Sequence, residues 1–113
     1  MKRKDDSVSL AGLDPKMRKV LPNVDAIWKA YGHEAIITAG TECFKGNEFI
    51  HSLSSFHPFG RALDFRTFYF IKSGKIDMFT VNKIAARLRD VLGKDYDVVV
   101  HSNHIHVECT TTS

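Results

Sequence analysis

A chain of 113 residues with 43% apolar content can bury one modest core, which excludes a multidomain assembly and removes the need for disulfide staples. Its net charge of +3 is spread along the chain and is too mild to imply nucleic acid; no RNA- or DNA-binding module is legible. No apolar run is long enough to span a bilayer, which excludes membrane insertion, and Cys43 and Cys109 lack C-x-x-C or zinc-ribbon spacing, so reduced thiols are expected.

The first ten residues, MKRKDDSVSL, carry charges but no apolar h-region, so synthesis in the cytoplasm without a signal peptide is expected. Residues 1–10 read as a flexible, solubilising tail on a single domain spanning 1–113. Asp14-Pro15 then supplies an N-cap and a proline at the first helical position. Met17, Val20, Leu21, Val24, Ile27, Trp28 and Tyr31 follow at helical spacing, and the helix stops near Gly32. Pro22 falls inside that pattern and predicts a kink, or a split into a short turn and a longer helix. Glu34 to Ala39 is a short β-rich run, and the polar stretch beyond Gly40 through Ser55 reads as a long functional loop.

Residues 61 to 68 alternate, with Ala62, Asp64 and Arg66 on one side and Leu63, Phe65 and Thr67 on the other. Tyr69 to Ile71 extend this strand toward a turn at Ser73-Gly74. Val81, Ile84, Ala85, Leu88 and Leu92 mark a second amphipathic helix, capped by Asp77 or Thr80 and stopped at Gly93. Asp97 to His101 and His104 to Glu108 form two strands joined by Ser102-Asn103, the spacing of a tight hairpin. The fold class is α+β: a small antiparallel sheet with helices packed on it.

Chemistry concentrates in two places. Ser55, His57, Gly60, Ala62 and Asp64 spell S-x-H-x-x-G-x-A-x-D. His57 lies on the loop leading into the strand, and Asp64 points back toward it from the strand's polar face. Gly60 allows the intervening backbone turn, and Ala62 keeps the space beside Asp64 clear. HIHVE at 104 to 108 puts His104, His106 and Glu108 on one strand face, with Ile105 and Val107 turned to the core. Two histidines and one aspartate around zinc, with the fourth position left to water, make a catalytic rather than a closed structural site. Such a zinc lowers the pKa of a bound water to about 7. The blander assignments are His33 and His51 as ordinary polar residues, Arg61 as a solvated strand charge, Trp28 and Tyr31 as core, and Cys109 as a small buried residue.

At these two motifs the chain resembles the zinc D-Ala-D-Ala carboxypeptidases and L-alanyl-D-glutamate endopeptidases, which share their fold with the Hedgehog signalling domain. The leading helix, the IITAGTE segment and DYDVVVHSNHIHVE are similar to the short phage-type members. The resemblance implies that His57, Asp64 and His106 hold the zinc, at the sheet's edge, and that His104 helps stabilise a tetrahedral intermediate. Arg66 matches an arginine that orients a substrate carboxylate or pairs with Asp64, and Ser55 joins it as a candidate substrate-binding residue. The implied substrate is a peptidoglycan stem peptide, cut by a monomer that reaches the wall once the membrane is opened, as in phage lysis. One departure matters. Asn103 and His101 stand where phage-type relatives commonly carry acids, and asparagine cannot take a proton. Either His101 or Glu108 supplies the general base, or the chain is slow or inactive and serves as a zinc-stabilised binding domain.

Overall fold

A computed structural model describes residues 1–41, 60–67 and 69–110. The expected long loop falls almost wholly outside these residues, as do Cys43, His51, Ser55 and His57. In chain order the elements are β1 (Lys2–Arg3), α1 (Pro15–Arg18), α2 (Val20–Ala30), β2 (Ile36–Ala39), β3 (Ala62–Arg66), β4 (Ile71–Lys72), β5 (Lys75–Ile76), α3 (Met78–Leu92), β6 (Tyr96–Val100) and β7 (His104–Cys109).

The first helix starts where the cap predicts, with the Lys16 amide donating to the Asp14 carboxylate at 2.8 Å. The break falls at Lys19, ahead of Pro22, giving the short turn α1 and the longer α2. Pro22 then occupies the third position of α2, where a helix N–H has no intrahelical partner to lose. At the other end the Gly32 amide donates to the Lys29 carbonyl and the His33 amide to that of Trp28, a Schellman closure with Gly32 at φ +85°. In α3 the cap is Asp77, whose carboxylate accepts from both the amide and the hydroxyl of Thr80.

The principal sheet has five strands in the order β1-β2-β3-β7-β6. It is mixed rather than purely antiparallel, because β1 runs parallel to β2 while every other pair is antiparallel. The expected flexible tail therefore holds an edge strand, and Val8 within it is fully buried. The strand expected to run on through Ile71 ends at Arg66; Ile71 belongs instead to a separate β4-β5 hairpin. Ser73 and Gly74 both adopt positive φ there, the conformation a two-residue hairpin turn requires.

One core joins the elements. Val20, Val24, Ile27 and Trp28 of α2, Val81, Ile84, Ala85 and Leu88 of α3, and Leu63, Phe65, Val98, Ile105 and Val107 of the sheet are buried together. Trp28 packs on Phe65 with ring centroids 5.9 Å apart and donates its indole N–H to the Arg66 carbonyl at 3.1 Å, which docks α2 on the end of β3. Because side chains alternate along a strand, committing Leu63, Phe65, Ile105 and Val107 to the helices turns Ala62, Asp64, Arg66, His104, His106 and Glu108 to the opposite face.

Candidate metal centre

The two strands that carry the polar residues are neighbours in the interior of the sheet, β3 at its centre and β7 beside it. Their register sets Asp64 opposite His106, Arg66 opposite His104 and Ala62 opposite Glu108. The cluster thus sits mid-sheet, which corrects the expected position at the sheet's edge. Beside it, the β2-β3 register shifts between Ile37 and Ala39, so that Ala39 pairs with Asp64 across an irregularity in the ladder.

His106 is held from both sides of its ring. Nδ1 lies 2.8 Å from Asp64 Oδ1, and Nε2 lies 2.8 Å from Glu108 Oε1. His104 Nε2 lies 3.6 Å from Asp64 Oδ2, while its Nδ1 donates to Asn103 Oδ1 at 2.7 Å. The Asp64 and His106 side chains are 12% and 13% exposed, against 26% for His104, so the histidine that is not an expected ligand is the more open to an incoming substrate. Burial works against a charged His106, but the hydrogen bonds and charges of Asp64 and Glu108 prevail and raise its pKa above the ordinary value of 6.5.

The hairpin tip is tied down. The His101 amide donates to the His104 carbonyl at 2.9 Å, closing a two-residue turn, and the Thr67 amide donates to the Asn103 carbonyl at 3.1 Å. Pairing with His104 turns His101 to the same face, where the two rings stack with centroids 4.6 Å apart and His101 stands 6.3 Å from the His106 ring. On the approach to β3, Gly60 has φ +75°, and a Cβ there would overlap the Gly12 carbonyl oxygen. The turn expected of Gly60 is thus a place where only glycine fits.

Of the expected site residues, Asp64, His101, Asn103, His104 and His106 come together, and Arg66 shares their face across from His104. His57 and Ser55 lie outside the described residues. Among the described residues, no group of three or more His, Cys, Asp or Glu side chains is arranged to hold a metal ion. Asp64 and His106 nevertheless carry donor types that zinc accepts. Asp64 Oδ1 and His106 Nδ1 are hydrogen-bonded at 2.8 Å, and a separation of about 3.3 Å would let both reach one ion at ligand distance. Sequence spacing put Glu108 on this face but gave no sign of its hold on His106 Nε2. Thr67, whose amide anchors the hairpin tip, carried no signal at all.

No protein-family model, curated protein or solved structure matches this chain. Among the described residues, no helix is long and apolar enough to cross a membrane.

Proposed function

We propose that the protein is a zinc metallopeptidase that hydrolyses an amide bond of the peptidoglycan stem peptide, either the terminal D-Ala-D-Ala or the L-Ala-D-Glu link, acting on the wall after membrane permeabilisation. The observation that carries this reading is the convergence of Asp64 Oδ1 and His106 Nδ1 on the interior strands, with His104 beside them. His57, Asp64 and His106 would hold the zinc. When bound, it supplies a Lewis acid for the substrate carbonyl and a water activated at neutral pH.

The remaining chemistry falls to the chain's own side chains. His104 gives its Nδ1–H to Asn103, so Nε2 donates only from the imidazolium, the form that best stabilises a developing oxyanion. His101, stacked on His104, is the titratable group on this face best placed to move the proton, since Glu108 is engaged on the far side of the His106 ring. Arg66, at the β3 end of the same face, is suited to orient a substrate carboxylate.

A second reading is favoured by one residue. Asn103, hydrogen-bonded to His104, cannot accept a proton, which suits a zinc-stabilised domain that binds stem peptides without cutting them. Mass spectrometry of muropeptides after incubation with the zinc-loaded protein decides between the two. The peptidase reading predicts new fragments that identify the bond cut, and a further gain of about 10²-fold or more in rate for Asn103→Asp. No cleavage by either protein, with zinc bound, would count heavily for the binding reading.

A further inference from the structure

Nδ1 and Nε2 point out of opposite sides of an imidazole ring. On His106 each side meets a carboxylate, Asp64 Oδ1 at Nδ1 and Glu108 Oε1 at Nε2, both at 2.8 Å. A group on Nε2 cannot reach an atom bound at Nδ1, so Glu108 is turned away from the place where substrate and water would meet. That geometry removes it as a candidate general base and leaves a different task.

A neutral imidazole has a single N–H, and here two carboxylates compete for it. With Asp64 alone, the proton would sit on Nδ1 and occupy the lone pair that a metal needs. Glu108 offers Nε2 an acceptor at the same distance. We propose that Glu108 is a positioning residue: it fixes the His106 tautomer and ring orientation so that Nδ1 presents its lone pair on the side of Asp64. The register supports this arrangement, because the residue across from Glu108 on β3 is Ala62, whose small side chain leaves room for the Glu108 carboxylate to fold back onto the ring. Glu108 is three-quarters buried, so solvent competes weakly for its oxygens. This inference rests on the zinc reading above and adds the group behind the ligand, whose loss typically costs a metal site 10- to 100-fold in affinity.

The test is a competition titration of zinc into chelator-treated full-length protein against a chromophoric chelator, for wild type, Glu108→Ala and Glu108→Gln. Wild type should bind one zinc, Glu108→Ala should bind about 10- to 100-fold more weakly, and Glu108→Gln, whose amide oxygen still accepts a hydrogen bond from Nε2–H, only about 3- to 10-fold more weakly. In ¹⁵N-resolved NMR of the zinc-loaded protein, the His106 Nε2–H should be protected from exchange in wild type and lost to solvent in Glu108→Ala. Should Glu108→Ala fail to fold, Glu108→Gln carries the test. Equal zinc affinity in wild type and in a folded Glu108 variant, with the Nε2–H signal unchanged, overturns the positioning role and leaves the zinc reading standing. A wild type that binds no zinc overturns both.

Discussion

His106 is a single imidazole between two acids, and its chemistry has opposite consequences with and without metal. Burial disfavours its charged form, yet Asp64 and Glu108 raise its pKa above 6.5. A raised histidine pKa in the folded state stabilises the protonated fold: the contribution is fully present below the unfolded value near 6.5 and is lost as pH rises through the folded one. In the proposed zinc site, metal binding would need the Nδ1 lone pair and would release the proton. We therefore expect thermal stability of the metal-free protein to fall, and zinc affinity to rise, as pH moves upward from about 6.5 through the His106 pKa. Thermal melts of chelator-treated protein and zinc titrations across that range check both signs, and a metal-free melting temperature that climbs through this window contradicts the paired-carboxylate picture. His101 belongs to the same scale. Replacing it with alanine should lower kcat by about 10²-fold or more while leaving zinc affinity within about twofold, because the role proposed for it is to move a proton and not to hold the metal. Alternation along HIHVE revealed which side chains share a face. Ring orientation was not legible, since spacing places a Cβ but not the two nitrogens beyond it.

Elements were readable wherever a local rule governs them. The Asp14 and Asp77 caps, the Gly32 and Gly93 stops and the Ser102-Asn103 turn all follow from short-range backbone needs, and all are present. The break at Lys19 was less legible, because proline in the first turn of a helix reads the same as proline that interrupts one. Strand β1 had no local signature: two charged residues acquire their conformation only by pairing with β2. Gly60 ties a local rule to the site. Its φ of +75°, its contact with Gly12 and the Asp14 amide donating to its carbonyl at 2.9 Å fix the backbone that delivers β3. Gly60→Ala combines a left-handed backbone with an overlap against a carbonyl and should cost about 2–4 kcal/mol. Urea denaturation measures this, and a loss under about 0.5 kcal/mol, typical of a neutral surface change, contradicts the close packing.

Across the whole molecule, the site depends on a strand order that no local pattern announces. Strand β7 is the last in sequence yet lies between β3 and β6, and only this insertion brings His106 across from Asp64. The alternation in each strand showed that both residues were polar-face positions; their being partners is a long-range fact, written in the shared core of Leu63, Phe65, Ile105 and Val107. Burying that apolar side on α2 and α3 is what presents the polar side as one surface. The α+β class was legible from the order of elements, whereas the mixed sheet and the central position of the cluster were not.

The proposed zinc site requires Asp64 and His106, which the strand order sets opposite each other, together with His57. Elemental analysis of the protein purified without added metal, alongside His57→Ala, Asp64→Asn and His106→Ala, tests it most directly. Close to one zinc per chain is expected in the wild type, with near-complete loss in each variant. Wild-type protein without zinc, or a His57→Ala chain that keeps its full complement, would contradict it.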